Sequence, residues 1–355
     1  MNIVHLINVR WFNATAWYAL RLIESGILAG DRAAAAGLPD SPVINKAKEL
    51  GVQTVEAPFT SNNFFDFFKN LRKIHKLIKD IDADTLVCHR GEMFWIIALD
   101  KFIFRRKYKL IRVRGDVRPP KTDIFSKFTH NTACNHIITS ADFIRTFFIE
   151  KLKTNANYID TIYGGVNRSV FYKDYKKRIN VRQHYNFKDD DFVVSVVGRF
   201  DPVKGHNVFL KACSRAYKNG LKELKIMLAG FPENIKLDEM QKMVEDNGLN
   251  DITIITGKVD DITGIMNASD LGVISSLGSE AVCRVAMEFM ACGVPVISSN
   301  AGVLPEMLPQ QYRYDIYDDE RLAFLITEKK GFIKIYDQKD FYNEFIEKIN
   351  LHFLQ

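Results

Sequence analysis

Two glutamates, an arginine and a lysine carry the chemistry that this sequence offers. Glu280 and Glu288 stand eight residues apart in SSLGSEAVCRVAMEFMACGVPVISS (275–299), and Arg199 and Lys204 stand five apart in GRFDPVKG (198–205). An arginine forks onto two oxygens of a phosphate, and a lysine adds a mobile point charge. Eight residues of helix rise by roughly 12 Å. That span lets one glutamate hold a sugar and the other a ribose, while a helix N-terminus takes a diphosphate between them. A plainer reading makes Glu280 a favourable charge near a helix start and Glu288 a surface acid. Against it, Val285, Met287, Phe289 and Met290 surround Glu288 with apolar residues, where a carboxylate needs a partner or a ligand. Taken alone, Arg199 and Lys204 read equally well as a solvated turn.

These residues need elements to position them. The apolar run 271–274 reads as a buried parallel strand, followed by a Gly/Ser loop and a helix over 281–291. Gly293 suits a left-handed helix end, Pro295 prevents a restart, and 294–297 reads as the next strand. Upstream, a charged stretch (173–191) leads into the apolar strand 192–197, the Arg199–Lys204 loop and a helix from Asn207. Strands at 224–229 and 252–256 end at Gly230 and at Gly257-Lys258-Val259, and 262–269 reads as a short helix.

The N-terminal half shows the same alternation. A strand at 3–7, a polar loop from Asn8 to Thr15 that includes Asn13, and a helix over 16–26 open it. No G-x-G-x-x-G follows that strand, which argues against a bound nicotinamide or flavin. Strands are expected at 33–36, 54–57, 85–88, 110–113, 136–140 and 158–162, with a helix over 41–50. The segment 63–79 reads as a core helix with a solvated basic face, in preference to a membrane-facing one. KFIFRRKYK (101–109) reads as a surface loop. Two strand ends are polar: His89, Arg90 and Glu92 after one, Arg114, Asp116 and Arg118 after the other. They read as a site for an anionic ligand more than as a salt-bridge network, since no run of acids faces them. A glycine pair, Gly164-Gly165, suits a sharp bend between two domains.

Composition sets the frame. The 355 residues suffice for two domains, and 47% hydrophobic with 26% charged residues is ordinary for a soluble globular protein. No run of eighteen apolar residues and no signal-peptide pattern appears, so neither a membrane span nor secretion is expected. Five scattered cysteines without C-x-x-C read as reduced thiols with no zinc site. A net charge of +6 is modest and suits an anionic substrate or membrane surface. One basic aromatic run is too little for nucleic-acid binding.

The E-x7-E pair followed by M-A-C-G-V-P-V-I resembles the signature of the family-4 retaining glycosyltransferases. G-R-x-x-x-x-K-G at 198–205, the domain-junction segment 163–167 and G-x-x-E at 302–306 extend the resemblance along the chain. It implies an α/β protein of two Rossmann-like domains facing across a cleft, the GT-B fold. The expected domains are 1–167 for the acceptor and 168–335 for the nucleotide sugar, with 336–355 a helix (341–354) packing back on the first. The implied reaction is metal-independent transfer of a sugar from a nucleotide diphosphate to a hydroxyl of a glycan or lipid-linked acceptor, with retention and no cofactor. Glu280, Arg199 and Lys204 take the catalytic roles. Donor binding falls to Glu288, Gly198, Ala281, Val282, Cys283, Arg284, Gly230, Lys258, Val259 and Asn13. The acceptor falls to His89, Arg90, Glu92, Arg114, Asp116 and Arg118. Arg114 stands where relatives often carry a histidine and binds anions or hydroxyls instead, any histidine role passing to His89. The family implies a cytoplasmic protein with peripheral contact to the inner membrane. Two other readings stay open: a different GT-B enzyme such as a nucleotide-sugar epimerase, and a catalytically silent sugar- or nucleotide-binding protein.

Overall fold

The computed structural model describes residues 1–58 and 64–351. The chain forms two compact units, one from Met1–Gly165 with the last helix and one from Val166–Asp337. In the first unit β1 (Asn2–Ile7) leads to α1 (Ala14–Leu28), β2 (Arg32–Gly37) to α2 (Pro42–Glu49), and β3 (Gln53–Glu56) to α3 (Phe64–Asp80). Then come β4 (Thr85–Cys88), α4 (Gly91–Ile103), β5 (Lys109–Arg114), α5 (Ile124–Phe128), β6 (His136–Thr139), α6 (Asp142–Phe147) and β7 (Ile159–Thr161). All strands are parallel, in the order β3-β2-β1-β4-β5-β6-β7.

The second unit starts with α7 (Tyr175–His184), β8 (Phe192–Val197), α8 (His206–Lys218), β9 (Leu224–Ala229), α9 (Leu237–Asp246) and β10 (Thr253–Gly257). It continues through α10 (Ile262–Ala268), β11 (Leu271–Ile274), α11 (Arg284–Ala291), β12 (Val296–Ser299), α12 (Leu304–Met307), β13 (Arg313–Tyr314) and α13 (Asp319–Thr327). Its parallel sheet has the order β10-β9-β8-β11-β12-β13. In both sheets the first strand lies centrally and the order reverses beside it. Loops leaving the carboxyl ends of β1 and β4, and of β8 and β11, therefore flank a topological switch point, where open α/β sheets bind ligands.

Burial on both faces explains the near-continuous apolar strands. Val194, Val196, Ile226 and Val273 pack under α8, α9 and α13, while Val193 and Met227 face Ile265 of α10. The first unit is closed by α14 (Gln338–Leu351), which lies on α1. There Phe341 stands edge-on to Tyr18 at 4.9 Å, Gln338 Nε2 donates to Ser25 Oγ at 2.7 Å, and the Tyr342 hydroxyl bonds Asp31. The second unit's own ends meet: Val166 N donates to the Tyr336 carbonyl at 2.7 Å, and Val166 pairs with Asp337 in a parallel bridge.

Several expectations change. The charged stretch 173–191 contains a helix, because Arg178 and Arg182 on α7 pair inward with Asp270 at 2.6 and 3.2 Å. Residues 101–103 are the last turn of α4, not loop. Gly302 to Glu306 is a loop only in its first half, since α12 begins at Leu304. The expected starts and ends at Asn63 and Leu354 lie outside the described residues. In α3, Ile74 and Leu77 are buried while Lys69, Arg72, Lys76 and Lys79 face solvent, as a core helix requires. All five cysteines are free.

Candidate active site

Three loops of the second unit meet at the carboxyl edge of its sheet, and glycines allow them to touch. The loop after β8 ends at Gly205, whose φ is +68°; a Cβ there would lie 1.9 Å from the Ser275 carbonyl oxygen. The loop after β12 contains Gly302, φ +55°, where a Cβ would lie 1.9 Å from the Glu280 carbonyl oxygen. No side chain fits either place. Val203 accepts from Leu277 N at 2.7 Å, Lys204 O accepts from Ser275 Oγ at 2.8 Å, and Glu280 O accepts from Val303 N at 2.8 Å. The loop after β9 joins the same edge, since a Cβ on Gly230 would meet the Gly198 carbonyl oxygen at 1.7 Å.

Lys204 and Glu280 meet inside this junction. Lys204 Nζ donates to Glu280 Oε1 at 2.6 Å, and Ser276 Oγ donates to the same oxygen at 2.5 Å. The Glu280 residue is only 6% exposed. Burial pulls the Lys204 pKa down, but the carboxylate outweighs it and holds the ammonium above its ordinary value. An ammonium has three donors, so one bond to Glu280 leaves capacity for a second anion. Both residues were brought together by the fold from 76 positions apart in sequence.

The helix after Glu280 starts later than expected. Ser279 and Cys283 take left-handed backbone, at φ 62° and 48°, and α11 begins at Arg284 with Cys283 as its N-cap. Ala281, Val282 and Cys283 therefore form a buried loop instead of a first helical turn. Left-handed non-glycine residues cost about 1–3 kcal/mol each and collect at functional sites. Glu288 is buried as expected, yet Arg284 Nε lies 2.9 Å from its Oε1, one turn away. Arg284, expected among the donor-binding residues, is thus directed to Glu288. Arg199 also has acidic company: its Nη1 donates to Glu233 Oε2 at 2.7 Å, and Asp201 lies 3.6 Å away. Lys258 is exposed after β10, and Val259 packs beside Ile265.

On the first unit, the polar residues after β4 and β5 form ion pairs within their own loops. Arg90 pairs with Glu92 at 2.9 Å, and Arg118 forks onto Asp116 at 2.8 and 3.1 Å. Arg114 donates to the Arg118 carbonyl at 2.8 Å and lies 3.9 Å from Asp116. The expectation that these arginines lack acidic partners is corrected: each loop supplies its own carboxylate two residues away. Burial tends to raise the Asp116 pKa, but the Arg118 guanidinium overrides it and brings it to about 2. His89 is buried against His5, Nε2 to Nδ1 at 3.2 Å, and burial holds both neutral. Asn13 caps α1, accepting from Ala16 N at 3.1 Å.

Sequence reasoning missed Ser276, Glu233 and Asp201, which hold Glu280 and Arg199. Ser276 lies in the Gly/Ser loop already singled out; nothing in the sequence tied Glu233 to Arg199. It also missed buried Arg112, which donates to the carbonyls of Cys88 and Val113 and lies under the Arg114 cluster. Among the described residues, no group of three His, Cys, Asp or Glu side chains is placed to hold a metal ion.

With this geometry in hand, known proteins show similar patterns. Residues 177–328 match the family Glycosyl transferases group 1. A D-inositol 3-phosphate glycosyltransferase of Mycobacteroides abscessus is 29% identical over 158 residues, 43% of this chain and 34% of that protein. The chain spans about a third of that relative's length. Among solved structures, Anabaena HepE in complex with UDP superposes with a TM-score of 0.84 at 19% identity, covering 99% of this chain and 100% of that one. The lipopolysaccharide outer core galactosyltransferase WaaB superposes at 0.73 with 12% identity, covering 98% and 99%. The two parallel-sheet, Rossmann-like units have the GT-B fold, and the stretch of the second that matches the Glycosyl transferases group 1 model includes the β8 and β11 loops.

Proposed function

We propose that this chain transfers a sugar from a nucleotide diphosphate to a hydroxyl of a glycan or lipid-linked acceptor, with retention and without a metal or other cofactor. The buried Lys204–Glu280 pair is the observation that carries this reading. It sits at the switch point of the domain that matches the family, where a diphosphate finds an ammonium already oriented and partly desolvated. Glu280 fixes the lysine and contacts sugar hydroxyls; Arg199 adds a second cation to the departing diphosphate; Glu288 takes the ribose, with Arg284 steadying its other side.

As the bond from the anomeric carbon to the diphosphate breaks, the acceptor oxygen bonds to that carbon on the same face. The leaving phosphate takes the acceptor's proton, so no side chain need serve as base. Residues His89, Arg90, Glu92, Arg114, Asp116 and Arg118 of the first unit contribute to acceptor recognition. HepE was solved with UDP and with UDP-glucose, which makes a UDP-sugar the first donor to try. WaaB's role in lipopolysaccharide supports a cell-surface glycan acceptor, met on the cytoplasmic side of the inner membrane.

The test begins with donor binding. UDP, GDP, ADP and CMP are compared by thermal shift on wild type and Glu288→Ala; at a hundred times its Kd the cognate nucleotide adds about 2.7 kcal/mol. Stabilisation by UDP that weakens in the variant is expected. Turnover of the matching nucleotide sugar should then fall at least a hundredfold in Lys204→Ala and in Glu280→Ala. Near-normal turnover in either removes its assigned role, and binding without any turnover favours the silent-binder reading.

A further inference from the structure

The loop between β1 and α1, at the carboxyl edge of the first sheet, holds an indole out into solvent. Its Trp11 is 73% exposed, whereas Trp17, one turn into α1, is buried. The neighbours of Trp11 fix it there. Val9 is buried in one cluster with Leu20 and Ile44, and Phe12 packs against the same cluster with Lys46 Nζ 4.8 Å from its ring centre. Val9 N donates to the Ile7 carbonyl at 3.1 Å, Asn13 N donates to the Trp11 carbonyl at 2.9 Å, and Asn13 caps α1. Among the described residues the indole ring stacks on no other aromatic ring. A single exposed hydrophobic is ordinary on a protein surface. This one is set apart by its place, on a loop anchored at both ends beside the switch point where open α/β sheets bind ligands.

A second observation points to a ligand at the same edge. Asn8 and His89, the first residues beyond the paired strands β1 and β4, are 5% and 2% exposed. Each carries a buried side-chain atom without a hydrogen-bond partner, Asn8 Oδ1 and His89 Nδ1. The other nitrogen of His89 is taken up by His5 at 3.2 Å. Native proteins pair nearly all such atoms, because an unpaired one is costly. Asn8 Oδ1 needs a donor, and His89 Nδ1 donates or accepts according to its tautomer. A hydroxyl serves both, whereas a phosphate dianion has no hydrogen to give Asn8. Arg90 and Arg118 after β4 and β5 are already engaged by Glu92 and Asp116. An aromatic face beside neutral hydrogen-bonding atoms fits a pyranose: its C–H face lies on the negative face of the indole, and its hydroxyls reach the polar atoms.

We infer that Trp11 is the stacking platform for a neutral sugar ring of the acceptor, with Asn8 and His89 meeting that ring's hydroxyls. Trp11 is thereby a specificity-determining residue, selecting a glycan over a ring-free phosphate as the group that receives the sugar. This rests on the proposed transfer reaction, in which the first unit recognises the acceptor.

Two measurements on the full chain test it. In the first, tryptophan emission is titrated with the methyl glycosides of glucose, galactose, mannose and N-acetylglucosamine, and with glycerol phosphate. A blue shift with at least one glycoside, none with glycerol phosphate, and loss of the response in Trp11→Phe are expected. In the second, the same compounds are offered as acceptors with the nucleotide sugar chosen by thermal shift. Trp11→Ala should raise the glycoside KM about tenfold with a smaller change in kcat. Trp11→Phe should recover most of that loss and Trp11→Leu should not, because only the ring offers a face. The side chain stands in solvent, so the thermal midpoint and the nucleotide-induced shift should stay at wild-type values. The inference is overturned if no glycoside moves the emission, if the response survives in Trp11→Phe, or if glycerol phosphate is the better acceptor. A rise in the KM of the nucleotide sugar instead of the glycoside also overturns it. The emission titration needs neither nucleotide nor turnover, so it decides by itself if wild type transfers to none of these compounds. Loss of nucleotide binding in wild type would instead defeat the transfer reading.

Discussion

Lys204 keeps its proton where burial alone would weaken it, because Glu280 lies 2.6 Å away; buried His206 has no hydrogen-bonded carboxylate beside it. His206, next along the chain but one, stands edge-on to Phe200, and burial lowers its pKa to about 4. In the first unit burial takes His5 to about 3 and His130 to about 4. The sign follows from linkage. Above pH 6.5 each imidazole is neutral both folded and unfolded and contributes nothing. Below it the unfolded chain binds a proton that the folded one refuses, so stability falls by about 1.4 kcal/mol per pH unit for each histidine until its folded pKa is reached. The thermal midpoint should therefore drop steadily between pH 6.5 and 5. In His206→Phe the transition of the second unit should drop less steeply, whatever the variant's absolute stability. An unchanged slope would mean that His206 is charged in the folded state.

At the scale of elements, the sheet strands were legible and the loops around the site only partly so. Short apolar runs bounded by polar turns placed β4, β9 and β11 at their observed limits, because parallel strands buried on both faces leave little choice of residue. Helix α7 was not legible, since its inward residues are arginines satisfied by one aspartate 88 or more positions away. The late start of α11 was hidden for a different reason: Ser279 and Cys283 take left-handed backbone, and nothing in their own side chains demands it. The pairs Lys204–Glu280 and Arg284–Glu288 show the same division. The second is one helical turn and readable as such; the first depends on how two strands lie side by side. Gly302→Ala tests the packing of these loops. Its Cβ would collide with the Glu280 carbonyl oxygen in a left-handed backbone, so the β12 loop must shift. We expect a stability loss of about 1–3 kcal/mol and weakened nucleotide stabilisation, read in one thermal-shift experiment. Gly220→Ala, a left-handed glycine with nothing around its Cβ, should lose stability alone.

For the whole molecule, the last helix completes the first unit's fold. Tyr18, Ser25 and Asp31 all find partners on α14. Ending the chain after Asp337 would expose the apolar side of α1 and remove buried Phe341 and Phe345, each worth about 3–5 kcal/mol by comparison with Phe→Ala in cores. The first unit should then melt well below wild type while the second keeps its midpoint, as separate calorimetric transitions or limited proteolysis would show. Equal loss in both units would contradict the division at residues 165 and 338.

The bridge between Val166 and Asp337 has a consequence for how the chain is assembled. The second unit is an insertion whose entry and exit lie side by side, so its folding brings Gly165 and Gln338 to neighbouring positions. Without it, closing a loop of roughly 170 residues costs about 4–5 kcal/mol of chain entropy. On the ribosome the inserted unit emerges as one continuous stretch, and the surrounding one must wait for its final helix. The host unit is thus finished last although its first strand is made first, and a short Gly/Ser tether from Gly165 to Gln338 should let it fold with the insertion cut out.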